Sequence, residues 1–406
     1  MRRSGTANLP LHYGRVPQWL YERMRLLGGA ITEAIVTEFG SDEFLARMSD
    51  PFWFQSLGAV MGMDWHSSGI TTSVMHALKK AITPMSRDLG IYIAGGRGKH
   101  SRKTPGELME ISERTGLRGD ELVRSSKLSA KVDSTCIQDG YNLYLHNFIV
   151  SKNGNWTVIQ QGMNDGSSTA RRYHWHSADL KSFTCDPHSA VIGKNSGNIL
   201  NLTDSRSLKA QDSIMDFLAQ NPDKQIRELN LAVSSAELNM PAHHDVRPCN
   251  VNSRRLGAVL ALAYEKEFAS FSDTLLIEGM GPRTVQALAL VSEVIYGEPS
   301  RFKDPARFAF AHGGKDGHPA PVPLKVYDRT IHTLKRAVYS AKIGNNERMK
   351  SIRKLDEISR YIEKNREPNC NVDALIEHEK KISERHGGRT VFDGEGDKYE
   401  NQLKLF

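Results

Sequence analysis

The densest set of groups able to do chemistry lies between residues 130 and 190. "VDSTCIQDGYNLYLHNF" carries Asp133, Gln138, Asp139 and His146, and "VIQQGM" carries Gln160 and Gln161. "ARRYHWHS" carries Arg171, Arg172, Tyr173, His174 and His176, and "CDPHS" adds His188. Farther on, "MPAHHDVRP" supplies His243, His244, Asp245 and Arg247. Carboxylates at the start of one strand, with polar groups ending its partner, suit a divalent ion that activates water and neutralises charge in phosphodiester cleavage. Histidine titrates near neutrality and can serve as ligand or general base. The expected catalytic residues are therefore Asp133, Asp139, His146, Gln160 and His174. The expected ligands for Mn²⁺ or Mg²⁺ are Asp133, Asp139, His188, His243 and His244. A structural reading stands beside this one, because a strand histidine such as His146 is commonly a hydrogen-bonded core residue. "ARRYHWHS" could equally be a non-catalytic ribbon contacting DNA through Arg171 and Arg172, since arginines and aromatics stack on bases. The restriction-endonuclease pattern is not fulfilled: the second strand offers Gln160-Gln161-Gly162, with neither glutamate nor lysine.

These residues need a framework, and the pattern predicts a hairpin. "YNLYLHNFIV" and "NWTVIQQGM" are rich in aromatic and β-branched residues, and "SKNGN" joins them with an Asn-Gly turn signal. Before them, to about residue 120, apolar residues recur at helical spacing, with an interruption expected at Gly28-Gly29. "DWHSSGITT" runs into one of these helices, where its hydroxyls could cap the helix or hold a phosphate. "AGGRGKHSRKTPGEL" combines open glycine backbone with Arg97, Lys99, Arg102 and Lys103, and then a capping-box start. Such a loop suits a sugar-phosphate backbone or, equally, solvent.

Helical patterning returns near residue 206. Within it, "LLIEGMGPRTVQALALV" has the form of a helix-hairpin-helix. Gly279 and Gly281 would let backbone amides approach a DNA phosphate at the start of the following helix, with Arg283 adding charge. This grip reads the backbone, not the bases. "AHGGKDGHP", with Lys315, is a second basic glycine loop for the same face.

The fold class expected is α+β: a helical N-terminal region, a small β-rich centre with a hairpin, and a helical C-terminal region containing the helix-hairpin-helix. The expected divisions are 1–120, 121–205 (the catalytic candidate), 206–345 with the hairpin near 273–297, charged helices over 346–387, and a tail over 388–406. A chain of 406 residues exceeds one ordinary core. Its net charge of +7 is compatible with a polyanionic partner. The four cysteines form no CxxC pair, so reduced thiols are expected. No apolar stretch follows Arg2 and Arg3, and the longest apolar run, "LGAVLALAY", is too short for a bilayer. A cytoplasmic, nucleoid-associated protein is expected, with no membrane partner.

Together, "LPLHYGRVPQWL", "DPFWFQSLGAVMGMDWHSSGITT", "VDSTCIQDGYNLYLHNF", "VIQQGMN", "ARRYHW", "MPAHHDV", "GMGPRTVQALALVSEVIYG" and "FAHGGKDGHP" resemble one prokaryotic family, domain of unknown function 763. The resemblance spans about residues 8–335. It implies a helix-hairpin-helix protein suspected of acting on DNA, and it brings no established active site. The terminal "QLKLF" (Gln402, Leu403, Leu405 and Phe406 with Lys404 between) resembles the pentapeptide by which bacterial replication and repair proteins bind the β sliding clamp. An extended peptide with apolar anchors fits that mode. A tail packed back on its own domain is the alternative. Three functions stay open: a metal-dependent nuclease recruited by the clamp, a base-excision glycosylase using Asp304, and a non-catalytic DNA-binding repair factor.

Overall fold

The computed structural model of the chain describes residues 9–10, 16–63, 68–235, 253–266, 268–306, 324–340 and 344–364. The architecture is α+β. A short strand β1 (Leu9–Pro10) precedes five helices: α1 (Gln18–Phe39), α2 (Ser41–Ser49), α3 (Pro51–Val60), α4 (Gly69–Ile82) and α5 (Ser86–Leu89). Strand β2 (Ile91–Arg97) follows, then α6 (Thr104–Thr115) and α7 (Gly119–Lys131). The centre holds β3 (Asn142–Ser151), β4 (Trp156–Asn164), β5 (Thr169–His176), β6 (Ala190–Ile192) and β7 (Leu200–Asn201). The rest is helical apart from one short strand: α8 (Leu208–Leu218), α9 (Pro222–Ser235), α10 (Ser253–Glu265), α11 (Phe271–Leu275), α12 (Pro282–Tyr296), β8 (Arg301–Phe302), α13 (Leu324–Ser340) and α14 (Asn345–Lys364).

The expected hairpin is the middle of an antiparallel sheet ordered β1-β5-β4-β3-β2, with β6 also paired to β5. At its turn Gly154 donates to the Ser151 carbonyl at 3.0 Å, and Ser151 donates to that of Asn155 at 2.8 Å. Side chains along a strand alternate between faces, and here helices cover both. Phe148, Val150, Trp156, Val158, Tyr173 and Trp175 join one core with residues of α6 to α12. Ile149 and Ile159 join a second core with Met24, Ile31, Phe54 and Leu78 of α1, α3 and α4. Leu334, Val338 and Leu355 of α13 and α14 belong to that second core too. The first charged helix of the C-terminal part is thus docked by a buried leucine.

The interruption expected at Gly28-Gly29 does not occur, and α1 runs unbroken. Both glycines are buried in it, and a methyl group at Gly29 would meet the Ala81 Cβ of α4 at 3.2 Å. Close approach of two helices, not chain reversal, is what these glycines serve. Helix α3 starts as its sequence demands: Pro51 opens it, and the Asp50 carboxylate accepts from the Phe52 and Trp53 amides at 2.8 and 3.1 Å.

Candidate functional site

Helix α7 ends in a π-helical turn, Val132–Cys136, which carries Asp133 into the protein. Inserted turns of this kind often accompany functional sites. The Asp133 carboxylate is fully buried, and three side chains donate to it. Trp175 Nε1 lies 3.0 Å from Oδ2, Gln160 Nε2 also reaches Oδ2, and His188 Nε2 lies 2.5 Å from Oδ1. Gln160 Nε2 donates to the Ser129 carbonyl as well, at 3.0 Å, so the orientation of its amide is set. Its Oε1 therefore accepts, and the partner is His146 Nδ1 at 2.7 Å. The other ring nitrogen, Nε2, lies 2.9 Å from Ser126 Oγ in α7. Burial lowers the pKa of His146, and its hydrogen bond to Gln160 Oε1 only partly restores it.

The structure thus joins four of the expected residues, Asp133, His146, Gln160 and His188, in one hydrogen-bonded chain. It adds Ser126, which nothing in the sequence singles out. Ser126 becomes visible only because α7 packs across β3.

This chain ends at a cleft of ≈ 200 Å³ lined by Ser101, Arg102, Ser126, Lys127, Leu143 and His146, among others. The sheet shapes it in two ways. Tyr144 is an extra residue where the β3–β4 register shifts between Leu143 and Leu145, and such bulges re-aim side chains. On the other side of β3, Gly95 has φ +93°, and a side chain there would collide with the His146 carbonyl. Gly95 lets β2 approach β3 there, and the basic 3₁₀ turn Gly98–Lys103 that follows brings Ser101 and Arg102 to the cleft. Arg97, Lys99, Arg102 and Lys103 are exposed, as is Lys127, and none has an acidic partner among the described residues.

Asp139 belongs to a second, adjacent network. Its Oδ2 accepts from Arg171 Nη1 at 2.7 Å and from the Tyr173 hydroxyl at 2.6 Å. Arg171 Nη2 binds Asp304 Oδ2 at 2.6 Å, and the Ser196 and Ala306 amides also donate to Asp304. Burial opposes the charge of Arg171, but the two carboxylates outweigh it and raise its pKa. Arg171 and Arg172 have no exposed surface to offer a phosphate. Arg172 and His174 lie on the opposite face of the sheet, Arg172 against α3 and α4 and His174 against α2 and α3. The structure does not bring His174 to the other catalytic candidates.

Among the described residues, no three of His, Cys, Asp and Glu converge as a metal site. Asp133 with His188 is the nearest approach. His243, His244, Lys315, Gln402, Leu403, Leu405 and Phe406 lie outside the described residues.

The hairpin Gly279–Gly281 stands beside this centre. Met280 and Ile277 are buried, and the Met280 amide donates to the Ile277 carbonyl at 3.1 Å. Gly279 has φ +85°, which demands glycine. Lys131 Nζ donates to the Met280 carbonyl at 2.7 Å, and Gln138 Nε2 to that of Pro282 at 2.6 Å. These bonds tie the hairpin to both ends of the π turn holding Asp133. Helix α12 then begins with Pro282 and an exposed Arg283.

Residues 5–322 match the family described as Protein of unknown function (DUF763), and the chain belongs to that family. No curated protein and no solved structure matches it. No helix among the described residues is long and apolar enough to cross a membrane.

Proposed function

We propose that the chain is a DNA-processing protein that grips the sugar-phosphate backbone with the hairpin and hydrolyses a phosphodiester bond at the adjoining cleft. The observation that carries this reading is Gly281. Its φ of −115° is open to any residue, and a methyl group there would meet nothing among the described residues closer than the Gly279 carbonyl at 3.8 Å. Packing among the described residues therefore gives no reason for glycine. Close approach of an outside group to the amides opening α12 does, and a phosphate is the group such amides hold. The exposed cations of residues 97–103 extend the same preference.

A divalent ion, Mn²⁺ or Mg²⁺, is part of the nuclease reading. In this reading Asp133 and His188 would hold it, at the expense of their mutual hydrogen bond. The test is incubation with single-stranded, duplex and flapped DNA, and with RNA, in Mn²⁺ or EDTA, beside Asp133→Asn. Cleavage lost in EDTA and in the variant is expected, and cleavage persisting in EDTA removes the metal from the proposal. Gly281→Val should weaken binding about equally for all sequences. Unchanged binding would sink the hairpin grip.

A non-catalytic DNA-binding factor is favoured by one observation, that the Asp133 carboxylate is already engaged on both oxygens. Binding without cleavage on every substrate would select it. The glycosylase reading has less support, since Asp304 is buried against Arg171; release of a free base would revive it.

The terminal Gln402-Leu403-Lys404-Leu405-Phe406 is proposed to dock on a β sliding clamp. Deleting Gln402 to Phe406 should abolish clamp binding and leave DNA affinity unchanged. Loss of thermal stability on deletion would mean that the tail packs on its own domain.

A further inference from the structure

The cleft beneath the basic loop holds a serine, a histidine and a third group in the relation an activated nucleophile requires. Their roles follow from donor and acceptor bookkeeping alone. The Ser129 carbonyl can only accept, so Gln160 must present its NH₂ to it at 3.0 Å and to Asp133 beside it. Gln160 Oε1 is then the acceptor toward His146, and His146 Nδ1 carries the proton at 2.7 Å. A neutral imidazole protonated on Nδ1 has a lone pair on Nε2. That lone pair faces Ser126 Oγ at 2.9 Å, so the hydroxyl hydrogen points at the histidine. The oxygen's own lone pairs are left for the cleft, which Ser126 lines with Arg102 and Lys127. A merely anion-holding serine would point its hydrogen the other way.

We propose that Ser126 is a nucleophile activated by His146, and that the cleft takes a phosphodiester whose charged oxygens face Arg102 and Lys127. In the step, Ser126 Oγ attacks phosphorus, forming the Oγ–P bond, and its proton passes to His146 Nε2. The bond from phosphorus to the leaving oxygen breaks, and that oxygen takes the proton back from His146 as it departs as an alcohol. Water, deprotonated by the same nitrogen, then attacks phosphorus. The Oγ–P bond breaks, the serine is reprotonated, and a phosphomonoester is released. No oxidant, reductant or further co-reactant is needed. Asp133 and Gln160 are positioning residues here, since they act only through the imidazole. The choice of DNA as the diester rests on the function proposed above; the nucleophile itself does not.

The experiment uses the full chain and a biotinylated fluorophosphonate, with adducts mapped by peptide mass spectrometry, in EDTA and again in Mn²⁺. A single adduct on Ser126 is expected, absent in Ser126→Ala and formed about 100-fold more slowly in His146→Gln. Thermal melting of each variant confirms that it is folded. Gln160→Leu, which removes the acceptor that holds the Nδ1 proton of His146, should lose labelling while the variant still melts as a folded protein. Hydrolysis of bis(p-nitrophenyl) phosphate should fall roughly tenfold or more in Arg102→Ala with Lys127→Ala. Wild-type protein without an adduct on Ser126, or a labelling rate indifferent to His146, overturns the proposal. DNA binding sensitive to Gly281→Val but no Ser126 adduct would retire the nucleophile and leave the hairpin grip standing. An adduct with no DNA affinity would do the reverse.

Discussion

Arg171 and Arg172 are neighbours in β5, and the pleat sends them to opposite sides of the sheet. Arg171 meets two carboxylates, Asp139 and Asp304, and lies 4.6 Å over the Tyr141 ring. Among the described residues Arg172 meets neutral oxygens: Gln55 Oε1 at 2.9 Å and Thr71 Oγ1 at 3.3 Å, with the Phe54 ring 4.8 Å away. The histidines divide in the same way. His146 is bonded at both nitrogens, whereas His174 reaches the Met48 carbonyl through Nδ1 at 3.2 Å and leaves Nε2 without a partner among the described residues. Burial therefore has different consequences on the two faces. It lowers the pKa of Arg172 to about 9, while the carboxylates keep that of Arg171 raised. One face is a connected network with a cleft at its end, and the other is a helix-packed core that has swallowed a cation. Adjacent residues of the same type are thus poor guides to shared function in a strand covered on both sides.

The largest effect expected from this difference is that of Arg171→Met. It strands two buried carboxylates, and removing one partner of a buried ion pair costs about 3–5 kcal/mol. Urea unfolding would measure it, and a loss below about 1 kcal/mol would show that water reaches Asp139 or Asp304.

Acid should come next. Burial is the main cause that lowers the pKa of His146, and burial with the Arg172 charge sets that of His174 well below the ordinary value. Both folded pKa values thus lie below the unfolded one of about 6.5. Their contribution to stability is fully present above that pH. As pH falls below it, the unfolded chain takes up protons that the native state refuses, so stability declines toward the folded pKa values. Unfolding curves between pH 7.5 and 5 test this. His174→Leu should flatten the slope, and an unchanged slope would place its origin elsewhere.

Arg172→Met should have the smallest effect, within about 1 kcal/mol in either direction, because an apolar side chain of similar length removes a desolvated charge that no described carboxylate balances. A loss as large as that of Arg171→Met would mean that Arg172 is holding an anion.

Much of the framework is legible in the residues themselves. The hairpin follows from β-branched runs around Asn-Gly, α3 from Asp50-Pro51, and the turn before α12 from Gly279 with Pro282. All three are local, because they depend on φ preferences, capping and period-2 patterning over a few residues. Gly28-Gly29 misleads for the opposite reason, since what selects those glycines is α4 packed across them. The residue types of the candidate centre are visible too, and Asp133, His146, Gln160 and His188 do meet.

Amino-acid order by itself determined that the runs flanking Asn153-Gly154 would pair as a hairpin, that residues 97–103 would be basic, and that a tight turn would start α12; the stretch that forms β5 read as irregular. Order alone could not say which side of the sheet each strand side chain would face, because a buried strand shows no polar side to mark the direction. Nor could it place Ser126 beside His146, bind the hairpin to Lys131 and Gln138, or give Asp139 and Asp304 to one arginine. Those pairings join residues 20 to more than 140 positions apart. Only the docking of α7, the C-terminal helices and the sheet against one another decided them.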